Sequence, residues 1–224
     1  MNLPAGGLSI STRSSTPSIT KVGGVCPVGA AASLPSLADG YSLLVLNTMQ
    51  TLVDLDATIS NAPHLGGKVL GWLISERIIQ PALSPCTLSG DGSGYAPGPG
   101  METWINDRAG VARTRSAALN GLSLVTERTA HSSVSTAYAT ACPKGDKVSL
   151  GGDLEAAINE WVAGGPARLT CPACQKDFPL TDWDLGPDYV FACLAFRFLN
   201  WPEDLGRLFD EIRRILSPDR IAFV

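Results

Sequence analysis

The sequence Cys171-Pro172-Ala173-Cys174 has the spacing of a metal-binding knuckle, a tight turn that presents two thiolates. Two thiolates three positions apart can face one cation, and a second such turn completes a tetrahedron at about 2.3 Å Zn–S. The other candidate turn, Cys142-Pro143-Lys144-Gly145, carries glycine where that spacing requires a second thiolate. The sequence therefore predicts two adjacent β-turns whose three thiols, Cys142, Cys171 and Cys174, meet at one point.

A closed zinc site at these turns needs a fourth ligand. Folding could bring Asp146, His131 or Cys193 to the site, and water is the other source. Two interpretations without metal also stay open: the hairpins could pack with buried free thiols, or two cysteines could form a disulfide. Nothing in the sequence marks the chain as exported, which disfavours the disulfide. Zinc is thus the predicted cofactor, at a site left incomplete at Gly145.

Length and charge limit the classes of fold and partner. With 224 residues and 45% hydrophobic content, the chain can bury a substantial core without a metal. A formal net charge of -4 argues against a surface that neutralises phosphates, so we expect a basic protein as partner rather than nucleic acid. No apolar run approaches the ~18 residues that cross a bilayer. We therefore expect a cytoplasmic protein without a membrane partner.

The chain divides into three predicted segments. Ser, Thr, Gly, Pro and Ala dominate residues 1–38, and Arg13 and Lys21 are the only charged side chains there, which predicts a flexible N-terminal segment. Residues 39–135 hold a predicted helical pair, a Gly/Pro-rich loop and a strand, and residues 136–224 hold the knuckles and a C-terminal helix and strand. We expect the second and third segments to pack as one unit, because no long charged or proline-rich linker separates them.

Hydrophobic periodicity predicts the elements within these segments. Near-helical spacing of apolar residues over 43–55 and 63–78 predicts two packed helices. The other predicted elements are strands at 122–125, 168–170, 191–201 and 221–224, and helices at 154–162 and 202–216. The period of 191–201 also fits a helix. The predicted class is α+β, an N-terminal helical pair packed on a degenerate zinc-ribbon-like β-hairpin module with a C-terminal helix and strand.

Two further stretches carry candidate functional residues. Residues 89–100 read Ser-Gly-Asp-Gly-Ser-Gly-Tyr-Ala-Pro-Gly-Pro-Gly and predict turns, without a P-loop or dinucleotide-binding motif. Exposed loops on a rigid scaffold often carry recognition, so Asp91 and Tyr95 are predicted to bind a partner. Glu127, Arg128 and His131 follow the strand at 122–125, but no nucleophile–base motif accompanies them. The sequence therefore predicts no catalytic residue.

Four motifs between residues 66 and 224 are Asn-Gly-Leu-x-Leu-Val-Thr-x-Arg-Thr at 120–129, Leu-Thr-Cys-Pro-x-Cys at 169–174, Asp-Trp-Asp at 182–184 and Phe-x-Asn-Trp-Pro at 198–202. Together they resemble the motifs of an uncharacterised family of bacterial proteins, some of which are labelled sugar ABC transporter ATPases. The resemblance implies two Cys-Pro-x-Cys knuckles, from which Gly145 departs. The label gains no support from the residues, because the phosphate-cradling and magnesium-holding motifs of an ATPase are absent from the sequence.

Three functional hypotheses follow. The first is a non-catalytic protein-binding module, such as a bacterial immunity protein or antitoxin whose acidic face blocks a basic toxin. The alternative is a zinc-ribbon protein that binds nucleic acid, for which salt-dependent binding to DNA or RNA is expected. An enzyme that uses Glu127, Arg128, His131 or Cys171 ranks last, because no nucleophile and base are visibly paired.

Overall fold

The computed structural model describes residues 48–84, 94–132, 140–186 and 189–224. These residues belong to one unit of the chain, Ser42–Val224. The predicted flexible segment 1–38 and the predicted partner-binding residue Asp91 lie outside the described ranges. Within those ranges, no helix combines the length and the apolar character that a bilayer crossing requires.

The described residues form a mixed fold of helices and mainly antiparallel strands, which confirms the predicted α+β class. The helices are α1 (Ala62–Ser75), α2 (Met101–Trp104), α3 (Arg108–Ser116), α4 (Gly152–Val162) and α5 (Gly206–Leu216). The strands are β1 (Met49–Asp54), β2 (Ile79–Ser84), β3 (Gly94–Pro97), β4 (Gly121–Val125), β5 (Thr129–Ser132), β6 (Thr140–Ala141), β7 (Lys147–Val148), β8 (Arg168–Thr170), β9 (Asp177–Pro179), β10 (Tyr189–Ala192), β11 (Leu194–Leu199) and β12 (Ile221–Phe223).

A six-stranded sheet, here called the main sheet, has the order β12-β1-β11-β4-β3-β2. Its central strand β11 pairs with β1 on one side and β4 on the other. Leu194, Phe196 and Phe198 alternate along β11 and are completely buried, as the sequence pattern predicts. They form the main core together with the apolar faces of α1 and α5. The amphipathic C-terminal helix is also confirmed, with Leu208 and Ile212 buried, but it begins at Gly206 and not at residue 202.

The predicted N-terminal helical pair is wrong in its first member. Residues 49–54 of the run at 43–55 form β1, which pairs with β11 and β12. Leu52 and Val53 point to opposite faces of the sheet and both are fully buried. A strand buried on both faces reads as a continuous apolar run, which period alone does not distinguish from a short helix. The second predicted helix forms as α1.

A bent antiparallel ribbon connects the main sheet to the knuckle segment. β4 pairs with β11, and the continuing strands β5 and β10 pair with each other in a separate two-stranded sheet. Four residue steps lead from Val125 to Thr129, but only three lead between their partners Ala195 and Ala192. The extra residue is a β-bulge in the stretch 126–128, and bulges bend and twist the strand that contains them. The ribbon thereby leaves the plane of the main sheet.

The β5–β10 part of the ribbon lies between two apolar clusters. Val190 and Ala192 pack with Val53 and Ala195 on the second face of the main sheet. Tyr189 and Phe191, on the other face of the ribbon, pack against a separate cluster that we call the knuckle core. Its buried members are Cys142, Leu150, Ala157, Ala167, Leu169, Cys171, Leu180, Trp183 and Leu185. The ribbon therefore connects the apolar cluster around Val53 and Ala195 with the knuckle core, and these two clusters share no residue.

Candidate metal centre

Four potential metal ligands converge at the loops of two small hairpins, β6–β7 and β8–β9. Their donor atoms lie within 4.8 Å of one another and belong to Cys142, Asp146, Cys171 and Cys174. In a tetrahedral site with Zn–S bonds of about 2.3 Å, neighbouring sulfurs are separated by about 3.8 Å. The 4.8 Å limit exceeds that separation by about 1 Å, so a small contraction would close such a shell. The predicted meeting of Cys142 with the Cys171–Cys174 pair is therefore observed.

The backbone folds in the same way at both knuckles. In the first, the N–H of Cys142 donates to the Asp146 carbonyl and the N–H of Gly145 donates to the Cys142 carbonyl. In the second, the N–H of Cys171 donates to the Lys176 carbonyl and that of Gln175 to the Cys171 carbonyl. Gly145 and Gln175 also share a left-handed backbone, with φ of 89° and 56°. Gly145 is thus the counterpart of Gln175.

This equivalence corrects the alignment that the sequence spacing suggests. Gly145 does not stand in place of the second thiolate; it occupies the left-handed position that follows the thiolate in the other knuckle. The first turn is one residue shorter, with three steps from Cys142 to Gly145 against four from Cys171 to Gln175. Glycine adopts that conformation without steric cost, which permits the tighter turn. The carboxylate of Asp146 then enters the site directly after it.

Of the fourth ligands that the sequence left open, the structure brings Asp146 to the thiols. One carboxylate oxygen of Asp146 lies 3.5 Å from the Cys142 sulfur. His131 and Cys193 lie elsewhere, in β5 and at the junction of β10 and β11. An isolated β-bridge between Ala141 and Asp184 attaches the first hairpin to the chain that follows the second. This bridge holds the two hairpin loops side by side.

The surroundings of the thiols affect their ionisation, which matters because the thiolate is the form that binds metal. Burial raises the pKa of the Cys142 thiol. Burial also opposes ionisation of Cys171, which is completely buried. The backbone N–H groups of Cys174 and Ala173 donate to its sulfur, however, and with the neighbouring thiols they lower the pKa of Cys171. The second knuckle therefore favours a thiolate at Cys171.

No family model, curated protein or solved structure matches this chain. The resemblance to an uncharacterised bacterial family consequently stays a prediction. The chemistry of the centre is inferred from its own donor atoms and burial.

The predicted recognition loop is partly regular structure. Residues 94–97 form β3 rather than a turn, which corrects the expectation for that part of the loop. Tyr95 is half-buried, lies opposite Leu122 of β4 and packs against the main core. Because Asp91 lies outside the described residues, partner binding by Asp91 and Tyr95 stays a prediction.

Arg128 has a structural role that the sequence does not reveal. Its guanidinium donates to the carbonyl oxygens of Trp161 and Gly165, at 3.3 and 3.1 Å. It also lies over the Trp161 ring, 5.4 Å from the centroid. Arg128 therefore joins the bulge of the ribbon to the C-terminal end of α4, and Glu127 beside it is exposed.

His131 is buried against the main sheet, with Nδ1 3.5 Å from the Arg197 guanidinium and no partner for Nε2 among the described residues. Burial and the charge of Arg197 lower its pKa from 6.5 to about 4. The unfolded chain therefore binds the proton more readily, so the stabilising effect of neutral His131 is complete above about pH 6.5 and is lost towards pH 4.

We expect the free energy of unfolding to fall by about 2 kcal/mol between about pH 7 and pH 5 because of this one group. Urea unfolding of wild type and His131→Gln across that range measures the pH dependence of the free energy of unfolding. The variant should lack the decrease of about 2 kcal/mol that His131 causes. His64→Gln, at an exposed position in α1, is the control. An equal pH dependence of the free energy of unfolding in wild type and His131→Gln would show that His131 does not cause this loss of stability.

Proposed function

We propose that this protein binds zinc, with one Zn²⁺ held by three thiolates and one carboxylate at the two hairpin loops. The observation that carries the proposal is the convergence of four donor atoms within 4.8 Å. Thiolate-rich sites select soft or borderline cations, and Zn²⁺ takes tetrahedral sulfur ligands with one oxygen ligand readily. Magnesium and calcium require mainly oxygen donors and do not suit this set.

The metal has a structural role in this proposal. Four protein ligands fill a tetrahedral shell and leave no position for a reactive water. Cys142 and Cys171 are buried within the knuckle core, so the metal would tie β6–β7 and β8–β9 together as a zinc-ribbon-like module. The wider role that we propose for this module is non-catalytic binding of a basic protein, supported by the net charge of -4. Recovery of no specific protein in pull-downs at low and moderate salt would contradict that role.

Metal analysis tests the zinc proposal directly. Protein purified from zinc-supplemented cells should contain one zinc per chain, and cobalt substitution should give the absorption of a tetrahedral thiolate site. Asp146→Ala should keep the cobalt–thiolate absorption, because three sulfurs remain. It should bind zinc at least about a hundredfold more weakly, because substitutions outside a ligand set already cost about 10–100-fold. Asp146→Cys should restore affinity and add thiolate absorption.

Asp153→Ala, which removes an exposed acid from α4, is the matched control and should bind zinc as wild type does. A purified chain without zinc that also gives no cobalt–thiolate absorption would overturn the proposal. Equal zinc affinity of wild type and Asp146→Ala would leave the thiols as ligands and remove Asp146 from the set.

A further inference from the structure

Cys174 is the most exposed cysteine of the metal centre. Cys142 and Cys171 are only 3% and 0% exposed, whereas Cys174 is half-buried. Pro172 and Ala173, which precede it in the same turn, are exposed. A small dissolved oxidant therefore reaches the Cys174 sulfur before the other two. Accessible thiolates with a second cysteine close by are the ones that peroxides oxidise first.

The Cys171 sulfur is placed to complete such an oxidation. It lies within 4.8 Å of the Cys174 sulfur, and the backbone N–H groups of Ala173 and Cys174 donate to it. A disulfide requires an S–S distance of about 2.05 Å. Two cysteines separated by two residues form that bond within a single turn, as the Cys-x-x-Cys oxidoreductases do. A bond from Cys142 to either sulfur would instead cross from one hairpin to the other, so the geometry favours Cys171 as the partner of Cys174.

We propose that hydrogen peroxide switches the zinc site off by forming a Cys171–Cys174 disulfide, an inference that rests on the proposed zinc binding. Cys142 and Asp146 then remain as ligands, and two protein ligands do not complete the four-coordinate shell of a structural zinc site. The metal is released, and the knuckle core loses the connection between its two hairpins. A thiol reductant reverses the reaction, because thiolates exchange with disulfides.

The reaction balances in two steps with hydrogen peroxide as the oxidant. The Cys174 thiolate attacks one peroxide oxygen, so that an S–O bond forms, the O–O bond breaks and hydroxide leaves. The Cys171 thiolate then attacks the sulfur of this sulfenic acid, so that the S–S bond forms, the S–O bond breaks and a second hydroxide leaves. The two thiolates lose two electrons and the peroxide gains them. Both hydroxides take protons from the solvent to become water, and the oxidation state of zinc does not change.

Treatment of the zinc-loaded full chain with a small molar excess of hydrogen peroxide tests this switch. Zinc in the filtrate after ultrafiltration measures metal release, and mass spectrometry of proteolytic peptides identifies the cysteine pair. We expect release of one zinc per chain together with a Cys171–Cys174 disulfide. Dithiothreitol and added zinc should then restore the bound metal. The peptide map of the wild-type protein decides the proposal without depending on any variant.

Cys174→His should keep its zinc over the time in which wild type loses all of it, because histidine is a zinc ligand without an oxidisable sulfur. Cys193→Ser, at a buried cysteine outside the metal centre, is the matched control and should release zinc as wild type does. Zinc release from Cys174→His as fast as from wild type would overturn the switch.

Two further outcomes separate this inference from the proposed function. Zinc that wild type retains in peroxide, or releases without a Cys171–Cys174 disulfide, would overturn the switch and leave the zinc site in place. A chain that holds no zinc before peroxide is added would overturn both proposals.

Discussion

Cys171→Ser is expected to abolish stable zinc binding and to unfold the knuckle core while the main sheet stays folded. Cys171 is completely buried and supplies one of the four donor atoms. Structural zinc sites contribute about 10–16 kcal/mol of apparent binding free energy, which is also folding free energy of the residues they tie together. Substitutions near a metal but outside its ligand set already cost about 10–100-fold in affinity, so loss of a ligand should cost at least about a hundredfold.

Cys171→Ser should unfold only the knuckle core, because the two cores are separate. The main core and the knuckle core share no buried residue. Hydrogen exchange should therefore lose protection in β6 to β9 and α4 while β1, β11, α1 and α5 keep theirs. A chelator added to wild type should give the same pattern. Cys193→Ser, at a buried cysteine outside the metal centre, should retain zinc.

Two results would contradict this expectation. Full zinc content in Cys171→Ser would remove Cys171 from the ligand set. Uniform loss of protection across β11 and α5 would show that the two cores fold together, against the independence that their separate residues indicate.

The alternation in β11 and the helical spacing in α5 predict these two elements correctly, although the period of 191–201 also fits a helix. Leu194, Phe196 and Phe198 alternate because one face of β11 meets the helices, and Leu208 and Ile212 repeat at helical spacing because one face of α5 does. β1 is mispredicted because both of its faces are buried, which removes the alternation. The bulge at 126–128 is a one-residue change of register, and no local pattern specifies it.

The three thiols of the candidate metal centre were predictable from the sequence, whereas Asp146 was one of three residues that the sequence offered as the fourth donor. The spacing of Cys171 and Cys174 fixes two donors on one turn, and Cys142-Pro143 marks the other turn. Counting positions along the chain assumes that both turns have equal length. The left-handed backbone at Gly145 shortens one of them, and the fold brings the Asp146 carboxylate to the three thiols.

Gly98→Ala is expected to destabilise the fold by about 3 kcal/mol, because the residue lies against backbone and not against a movable side chain. A Cβ at Gly98 would stand 2.2 Å from the Arg77 carbonyl oxygen. Arg77 lies two residues beyond the end of α1 and has a left-handed backbone, with φ of 57°, and the N–H of Gly100 donates to its carbonyl oxygen at 2.8 Å. The N–H of Gly98 donates to the Ile78 carbonyl at 2.7 Å. The segments 77–78 and 98–100 therefore cannot move apart without breaking hydrogen bonds.

Gly71→Ala provides a control of opposite sign. Gly71 lies in the exposed part of α1, and a Cβ there would meet nothing within 4 Å. Alanine in a helix interior is more favourable than glycine by up to about 1 kcal/mol, so this variant should be more stable than wild type. Urea unfolding at constant pH measures both variants. A cost below about 1 kcal/mol for Gly98→Ala would mean that the connection from β3 to α2 can move away from α1, and the Gly/Pro stretch would then be an adaptable loop instead of a packed support.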